Sequence, residues 1–573
     1  MKNHIIILLL STIFVLAACN EEEFLEVTNP NAVTTATFWK SERQFSSALT
    51  TVYGATQFQS ISGGLLQHEM VLGDMGGTEN WYRPLAFRNL TYNDAQYYVT
   101  DKWDEAYIGV FRANQVIQFI QEADPNLFSG DNQAIIEGQA RFLRAFFYFT
   151  IAHSYGGAVI HTQVVEKNED FHKPFSSIEQ VTNEVIIPDL AFAKANLPAT
   201  WTGDDIGRIT SGAATALLGK VHLFGKNWSE AAALFQEVIE SGVYSLTPDI
   251  MDNFTHFNEF NSESIFEVGY SQELNPGTPA AAVDDSPWEA GAEASTLGNA
   301  LGQLNFNAFN TVLTSYYLHE LYVNDEVDPD NPINDGNMQS KRMSASICPR
   351  NGETLYYGLE IGERGGWGFG QSAYIKKHTN WYHMEAEPNL SRSGINFRHI
   401  RLADVYLMYA EAVLNATGDV ETAIDYIDLV RSRAGVVTLR KYLEMNNNTF
   451  PQLHISKQVH GEQPLVAPTA ENVMTHICRV ERPLELSFEG HRWKDLVRWD
   501  MVAEVFDELR VDEVWREENK SSILQVTSGG VEPLFIVGRI RPDFVLSSQN
   551  YTPSQHNYFP IPTKETQNNP LIK

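Results

Sequence analysis

The chain contains few cysteines and none of the cysteine and histidine patterns that hold metals. Its 573 residues include three cysteines, Cys19, Cys348 and Cys478. No spacing pattern supports a disulfide bridge between the last two. CxxC, HExxH and clustered Cys/His motifs are absent, which excludes the common structural zinc sites, and no EF-hand pattern marks a calcium loop. We therefore predict no metal and no cofactor.

Positive charge is scarce as well. The chain has 41 Lys and Arg against 72 Asp and Glu, which gives a formal net charge of −31. So acidic a surface repels phosphate backbones and anionic lipids, which excludes nucleic acid and anionic lipid surfaces as main partners. With 43% hydrophobic and 20% charged residues, the composition is that of a folded globular protein. Its length exceeds what one ordinary core holds, so we expect two or more subregions.

The N-terminus lacks an apolar run long enough to cross a membrane. Lys2 precedes the apolar segments Ile5–Leu10 and Ile13–Leu16, which together fall short of the roughly 20 residues of a spanning helix. A short basic start and a short apolar core are typical of a secretory signal peptide, here residues 1–18. Small residues precede Cys19 in LAAC, a sequence that resembles the bacterial lipobox, whose cysteine is lipidated and becomes the mature N-terminus.

An acidic run follows the cysteine. Glu21–Glu23 stand two residues beyond Cys19 and resemble the signal that sends lipoproteins of Bacteroidetes-type bacteria to the outer face of the outer membrane. We therefore predict lipidation at Cys19 and a position on the cell surface, lipid-anchored in the outer membrane. The alternative is an ordinary secreted protein in which a cysteine follows the leader by chance.

Amphipathic helical patterns dominate the rest of the chain. Apolar residues at three- and four-residue spacings predict a helix over Gln133–Tyr155, ended by two glycines. Within Gly212–Gly242, small and aromatic residues fall at the offsets of a tetratricopeptide repeat, in which small residues mark the crossing of two antiparallel helices. Ala403–Gly435 is a looser second copy. We predict a mainly α fold with a tetratricopeptide-like α-superhelical scaffold; unrelated helical hairpins are the alternative.

A loop-rich region separates two helical blocks. Glu263–Tyr270 alternates like a strand, and Asn-, Gly- and Pro-rich stretches after it predict long loops up to about residue 399. Long irregular stretches inside a large folded chain are usually functional, and the aromatic residues here argue against disorder. Aromatic residues make up 12% of the chain, and many Trp and Tyr residues fall in such loops, a placement typical of binding platforms.

Aromatic residues beside Gly and Asn single out candidate binding loops. A sugar ring has apolar C–H faces and hydroxyl edges, so a sugar site combines an aromatic plane with polar groups at its rim. The clearest such stretches are GDMGGTENWYRPLAF (Gly73–Phe87) and GQLNFNAFN (Gly302–Asn310). The predicted ligand-binding residues are Asp74, Asn80, Trp81, Tyr82, Arg83, Trp288, Asn305, Phe306, Asn307 and Trp367. The pair Trp381-Tyr382 is a further candidate.

Five segments in register resemble one known family. They are FLEVTNPN…TFWKSE (Phe24–Glu42), ARFLRAFFYFTIAHSYGG (Ala140–Gly157), FRHIRLADVYLMYAEAVL…VRSRAG (Phe397–Gly435), RVERPLELSFEGHRWKDLVRW (Arg479–Trp499) and NYFPIPTKETQNNP (Asn557–Pro570). Together with the lipobox they resemble SusD/RagB-type outer-membrane lipoproteins over essentially the whole chain. The resemblance implies a helical, tetratricopeptide-like scaffold that carries a loop-rich, partly β ligand-binding region.

The resemblance also implies a function and a division of the chain. Proteins of this family bind oligosaccharides, or in some branches peptides, and are not enzymes. They act as lids that pass the ligand to a SusC-like TonB-dependent transporter. The implied parts are a signal peptide 1–18, a lipid anchor and tether 19–45, an N-terminal helical part 46–260, a ligand-binding insertion 261–396 and a C-terminal helical part 397–573.

Two functions from other classes stay open on the residues alone. A surface glycoside hydrolase needs two carboxylates at a fixed separation, and with 72 acidic residues such pairs arise freely. The residues that such an enzyme would draw on are Asp74, Glu79, Asp284, Asp285, Glu489, His491 and Asp495. We interpret the motif residues of Glu481–Trp499 as structural, an apolar stripe with charged pairs. A tetratricopeptide scaffold for protein partners is the other alternative.

Overall fold

A computed structural model describes most of the chain. It covers residues 37–165, 167–274, 293–303, 308–349, 355–358, 373–383, 393–521 and 540–572. Some features that the sequence singles out lie outside these residues. They are the leader with Cys19, the acidic pair Asp284-Asp285, and the predicted ligand contacts Trp288, Asn305, Phe306, Asn307 and Trp367.

Helices form the N-terminal part of the described chain, as the apolar spacing predicts. Those up to residue 240 are α1 Glu42–Thr56, α2 Gln67–Met70, α3 Leu85–Arg88, α4 Tyr97–Glu122, α5 Asn132–Tyr155, α6 Ile178–Val181, α7 Ile187–Asn196, α8 Ser211–Phe224 and α9 Trp228–Glu240. The helix predicted over 133–155 is α5, which begins one residue earlier. It ends where Gly156 adopts a left-handed φ of 80°, a conformation that glycine takes without steric cost.

Further helices follow in the middle and C-terminal parts. They are α10 Leu297–Leu301, α11 Tyr316–Asn324, α12 Lys341–Ser346, α13 Leu402–Thr417, α14 Val420–Ala434, α15 Leu439–Met445, α16 Lys457–His460, α17 Ala470–His476, α18 Arg482–Glu485, α19 Arg492–Arg498, α20 Val502–Glu518, α21 Val545–Asn550, α22 Pro553–His556 and α23 Thr563–Asn568. The second repeat copy is the pair α13 and α14, in which Asp419 caps α14 by accepting from the Thr422 amide. None of the helices in the described ranges is long and apolar enough to cross a bilayer.

Short antiparallel strand pairs join the helices. The strands are β1 Gly76–Gly77, β2 Gly157–Val159, β3 Phe175–Ser177, β4 Ser264–Val268, β5 Leu313–Thr314, β6 Ile347–Pro349, β7 Ala373–Ile375, β8 Phe397–Arg401, β9 Phe450–Pro451 and β10 Leu465–Val466. They pair as β1–β5, β2–β3, β4–β8, β6–β7 and β9–β10. In the β4–β8 pair, Ser264 faces Arg401 and Val268 faces Phe397. The chain therefore leaves and re-enters the helical scaffold at one place, where the sequence predicts the loop-rich region.

Neighbouring helices pack side by side into a superhelical scaffold. The main contacts run from α1 and α4 through α5, α7, α8 and α9 to α13 and α14. In the first predicted repeat, α8 crosses α9 where Gly219 faces Phe235, and a Cβ on Gly219 would lie 2.7 Å from the Phe235 ring. Glycine is needed there because any side chain would displace the buried aromatic ring. The mainly α, tetratricopeptide-like fold class is confirmed.

The C-terminal motif supplies a buried network of ion pairs. Arg401, at the end of β8, donates to the carboxylates of Glu263, Glu485 and Glu489 at 2.7–2.9 Å. All four side chains are at most 1% exposed. Removing a charged group from water is costly unless an opposite charge and hydrogen bonds compensate for it. Here the buried guanidinium and the carboxylates around it compensate each other. The structural interpretation of the Glu481–Trp499 motif agrees with this arrangement.

The two internal cysteines are separate thiols. Cys348 in β6 and Cys478 next to α18 are both buried and free. Burial raises the pKa of the Cys478 thiol well above its ordinary value, so the group stays protonated and packs as a small apolar side chain. The described fold therefore contains no bridge between these two residues.

Candidate functional site

The loops that carry the predicted binding residues are anchored on one group of short strands. In the β1–β5 pair, Gly77 faces Leu313. One residue beyond β1, the hydroxyl of Thr78 donates to the carbonyl of Thr311 at 2.6 Å. β5 in turn packs against β7, the strand that follows the segment containing Trp367. The structure thus brings together the anchoring points of the loop after β1, the segment before β5 and the segment before β7.

A small aromatic cluster lies at these anchoring points. Its members are Ala308, Cys348, Tyr356, Tyr357 and Tyr374, with Trp381 packed at its edge. Tyr356 stacks on Tyr374 with 5.5 Å between ring centroids and donates its hydroxyl to the Ile375 carbonyl at 2.9 Å. The Lys376 ammonium lies 3.7 Å from the centre of the Trp381 ring, a cation–π contact. The cluster gives the strand group an ordered base outside the main core.

A buried arginine connects the two ends of the loop after β1, residues 78–84, because it lies in α3 and bonds the chain that leads into β1. Nη1 of Arg88, in α3, donates to the carbonyls of Val71, Gly73 and Gly76. Nη2 donates to the Ser547 hydroxyl at 2.9 Å. Arg88 is 1% exposed. One side chain therefore pairs three carbonyls of the segment that leads into β1 and ties this segment to α3, so the two ends of the loop are held together.

Trp81 and Tyr82 stand on this anchored loop. Trp81 is 56% exposed, whereas Tyr82 is partly buried, and their rings lie 5.7 Å apart at 50°. Asn80 and Arg83 are exposed on either side, and the Arg83 guanidinium lies 5.7 Å from the centre of the Tyr97 ring. Burial raises the pKa of the Tyr82 phenol, so its hydroxyl stays protonated at neutral pH. The group offers a stacking plane with donors and acceptors beside it.

Asp74 lies inside the scaffold, away from this surface. It is fully buried, and Arg492 donates from Nε to Oδ1 at 2.7 Å and from Nη2 to Oδ2 at 2.6 Å. Burial alone would raise the pKa of Asp74, but the charge of Arg492 lowers it, so the carboxylate is ionised. Because no atom of Asp74 is open to a ligand, it anchors the loop and is left out of the site proposed below.

A second group of aromatic residues was not predicted from the sequence, apart from Tyr382. The ring of Phe257, 69% exposed, lies 3.9 Å from the ring of His256 and 5.7 Å from that of Tyr382, measured between centroids. The His256 amide donates to the Tyr382 hydroxyl at 2.9 Å. Elsewhere, Phe309, which belongs to the predicted stretch Gly302–Asn310, is 57% exposed. Phe257 stands beside an asparagine in FTHFNEFN, so its sequence context has the aromatic and Asn residues that mark the predicted binding loops.

The acidic residues that a hydrolase would draw on in the C-terminal motif are engaged in ion pairs. Lys377 donates to Glu489 at 2.7 Å, and although burial alone would raise the pKa of Glu489, Arg401 and Lys377 hold it at about 2. Asp495 is likewise paired with two arginines. Burial lowers the pKa of His491 to about 4. These groups stabilise the scaffold.

Within the described ranges, no three His, Cys, Asp or Glu residues are grouped to hold a metal ion.

Two family models match the chain. The model of the SusD family matches residues 262–573, more than half of the sequence. The chain belongs to the SusD family. A second model, described as starch-binding and associating with the outer membrane, matches residues 23–223. The two matches include both helical blocks and the loop after β1, and they confirm the resemblance drawn from the five motifs.

Similar proteins share almost the full length with this SusD family chain. A SusD-like protein of Formosa agariphila is 24% identical over 552 residues, 89% of this chain and 92% of its own. A SusD superfamily protein from Bacteroides vulgatus has a TM-score of 0.72 at 24% identity, covering 94% of this chain and 99% of its own. Surface glycan-binding protein A from Bacteroides thetaiotaomicron, solved in complex with laminarihexaose, has a TM-score of 0.65 at 18% identity, with 92% and 97% covered. These structures share the fold of this chain.

Proposed function

We propose that this SusD family chain binds oligosaccharides on the surface formed by Trp81 and Tyr82. The observation that carries the proposal is the exposed Trp81 ring on a loop whose base is fixed by Arg88. A stacking plane that is already ordered loses little conformational entropy when a ligand binds. Asn80 and Arg83 stand beside the rings and supply hydrogen bonds to the hydroxyl edge of a sugar.

An oligosaccharide suits this surface better than a charged polymer. The net charge of −31 disfavours polyanions, whereas a neutral glycan meets no such repulsion. The half-buried Tyr82 and exposed Trp81 present apolar area in patches the size of a ring, which matches the C–H faces of pyranoses. The laminarihexaose complex of the similar surface glycan-binding protein A supports the same ligand class.

Neighbouring loops complete the proposed site. The segment before β5 and the segment before β7 are anchored beside Thr78, and Phe309 adds a ring that is 57% exposed. We propose that the additional ligand contacts are Asn305, Phe306, Asn307, Trp367 and Trp288. In this arrangement residues 46–260 and 397–573 form the scaffold, and residues 261–396 are an insertion that extends the binding surface.

We further propose a role in transport at the cell surface. The chain would be lipid-anchored in the outer membrane through Cys19 and act, without catalysing a reaction, as the lid of a SusC-like TonB-dependent transporter. Membership of the SusD family and the LAAC sequence after a short leader support this role. Residues 19–45 would be the tether that lets the lid move while it remains attached.

Titration of the full chain in detergent tests the binding proposal. Laminarihexaose, maltohexaose, xylohexaose and a six-residue peptide are titrated by calorimetry against the native chain and Trp81→Ala. We expect at least one hexasaccharide to bind and Trp81→Ala to weaken it roughly tenfold or more, about 1.4 kcal/mol, through loss of the stacking plane. Because Trp81 is largely exposed, the substitution should change the free energy of unfolding of the chain by less than about 0.5 kcal/mol.

The titration includes a matched control, and three outcomes would contradict or change the proposal. Leu429→Ala removes an apolar side chain that is 47% exposed on α14, and it should leave the affinity unchanged. Unchanged affinity in Trp81→Ala would contradict the site. Binding of the peptide alone would favour peptide uptake. Release of shorter sugars from a hexasaccharide would overturn the proposal that the chain is not an enzyme.

Removal of the cysteine tests the anchor. Cys19→Ala eliminates the thiol that would carry the lipid, and nothing in the described fold depends on it. We expect the variant to fold normally and to move from the membrane fraction to the soluble fraction, while Cys348→Ala stays in the membrane. Cell fractionation with immunoblotting reads the result. A Cys19→Ala protein that remains in the membrane fraction with a bound lipid would rule out this anchor.

A further inference from the structure

A groove of about 880 Å³ runs along α4. One wall is α4 itself, a second is the chain that follows β2, and the third is α23 from the C-terminal motif. We call it the α4 groove and define it by Asp104, Phe111, His161, Phe171, Lys564 and Asn568. Its volume lies within the range of roughly 300–1,000 Å³ that is usual for small-ligand pockets.

Two phenylalanine rings open into the α4 groove. Phe111 on α4 is 44% exposed, and Phe171 on the chain after β2 is 50% exposed. The floor between them is fixed: Trp103 packs on Tyr107 with 4.8 Å between centroids, and the Tyr107 hydroxyl donates to the Val159 carbonyl at 3.0 Å. The groove therefore holds two accessible rings over an ordered base, which is the arrangement that stacking on an apolar ring face requires.

Polar groups line the groove, and Glu565 on α23 adds a carboxylate to it. Lys564 on α23 pairs with Asp104 on α4, so these two charges offset each other. Nδ1 of His161 is buried and has no hydrogen-bond partner among the described residues. Burial, reinforced by the charge of Lys173, lowers the pKa of His161 to about 4, which keeps the imidazole neutral at pH 7. Asn568 is exposed at the rim and adds an amide.

The α4 groove is separate from the surface formed by Trp81 and Tyr82. The Arg83 guanidinium contacts Tyr97, the first residue of α4. Phe111 lies fourteen residues further along the same helix, which corresponds to about 21 Å along its axis. The near edge of the groove at Asp104 is seven residues, about 10 Å, from Tyr97, whereas the exposed ring of Phe111 is at the far end. Each surface can be tested by its own substitutions.

We propose that the α4 groove is a second binding site for neutral oligosaccharides. The assignment of the ligand class rests on the proposed function, and the chemistry of the groove supports it. The groove has two open rings, the ion pair Asp104–Lys564, neutral His161 and Asn568, and the carboxylate of Glu565, which repels anions but not a neutral glycan. At the described wall formed by α4 and α23, Lys564 is paired with Asp104, so an anionic ligand would have to displace Asp104 to reach this cation. Two sites on one chain would raise the avidity for a glycan polymer that spans both.

The experiment compares the two surfaces in the full chain in detergent. The hexasaccharide that binds most tightly among laminarihexaose, maltohexaose and xylohexaose is titrated into the native chain, Phe111→Ala/Phe171→Ala and Trp81→Ala. We expect two sites per chain in the native protein, and one in the double variant. Phe111→Leu/Phe171→Leu, which keeps the apolar volume but removes the rings, should weaken the second site at least tenfold. Leu465→Ala, 53% exposed on β10, is the control and should keep both sites.

Hydrogen exchange locates the second site independently of the stoichiometry. With saturating hexasaccharide, amides in peptides covering residues 103–114 and 564–569 should exchange more slowly in the native chain and not in the double variant. Thermal unfolding of each variant shows whether the fold is kept, and the leucine variant replaces the alanine variant if the latter has unfolded.

The outcomes separate the groove from the proposed function. One site per chain that responds to Trp81→Ala alone would overturn the second site and leave the proposed function intact. One site that responds to the phenylalanine substitutions alone would support the groove and overturn the assignment to Trp81. No binding of any of the three hexasaccharides to the native chain would overturn both.

Discussion

The network around Arg401 and the loop that carries Trp81 differ in where their side chains make contacts. In the network, ionised groups are at most 1% exposed, and they bond each other across β8, α18 and the chain before β4. At the base of the loop, an arginine is again buried, but Arg88 bonds main-chain carbonyls, while Trp81 on the loop is 56% exposed. The difference indicates that fold and binding depend on separate residues, so one can be changed without the other.

Removal of Arg401 should have the largest effect on stability. Arg401→Ala leaves the carboxylates of Glu263, Glu485 and Glu489 buried around an empty volume, with fewer cations to offset them. Breaking a buried ion pair from one side costs about 3–5 kcal/mol. We expect a loss of that size in the free energy of unfolding, measured with urea, or a chain that does not fold at 37 °C.

An exposed arginine provides the matched control. Arg440 pairs with Glu421 and Asp425 at the surface, where its side chain is 41% exposed. Arg440→Ala should cost less than about 1 kcal/mol, because exposed ion pairs are screened by water and salt. Equal losses for Arg401→Ala and Arg440→Ala would show that the buried network does not stabilise the scaffold as described.

Glu105 sharpens the comparison because it is buried without being part of such a network. It accepts a hydrogen bond from the Ser60 amide at 2.7 Å, and burial raises its pKa to about 7. The folded state therefore keeps a proton that the unfolded chain loses near pH 4.5, so stability falls as the pH rises from about 4.5 to 7 and is then constant. The shift corresponds to about 3 kcal/mol. Glu105→Gln should remove this contribution, so the free energy of unfolding of the native chain relative to that of the variant, measured with urea, should fall by about 3 kcal/mol between pH 4.5 and 7.

The network carboxylates give the opposite pH dependence. The pKa of Glu489 is held at about 2, below its unfolded value, so its contribution is present above pH 4.5 and is lost as the pH falls towards 2. Glu105→Gln should leave this acid limb unchanged, because Glu489 and its cations are untouched. A difference in the free energy of unfolding between the native chain and Glu105→Gln that stays constant from pH 5 to 8 would contradict the role assigned to Glu105.

Regular structure could be predicted from the sequence because it depends on local spacing. The helix at 132–155 and the repeat pairs follow from apolar residues at the helical period and from single glycines such as Gly219 and Gly156. The interpretation of Glu481–Trp499 as structural also agrees with the fold, because charged residues interleaved with an apolar stripe are typical of packed helices.

The anchoring of the binding loop could not be predicted in this way. Asp74 lies beside an aromatic loop and looks like a ligand contact, but its partner Arg492 is 418 residues away in the chain. Arg88 depends on Ser547 across a similar separation. A single sequence contains no signal for such pairs, because neither spacing nor composition links residues that meet only in the folded chain. Phe257, in contrast, could have been found by applying the aromatic-and-asparagine criterion to the chain before β4.

Hydrogen exchange at the loop after β1 is the most direct test of ligand binding at Trp81 and Tyr82. The full chain in detergent is labelled with and without a saturating concentration of the hexasaccharide that binds most tightly. We expect slower exchange of amides in a peptide covering residues 78–88 on binding, and no such change in Trp81→Ala at the same concentration. We also expect unchanged exchange over residues 479–498, which form part of the scaffold. Unaltered exchange at 78–88 in a chain shown to be saturated would contradict the assignment of ligand binding to Trp81 and Tyr82.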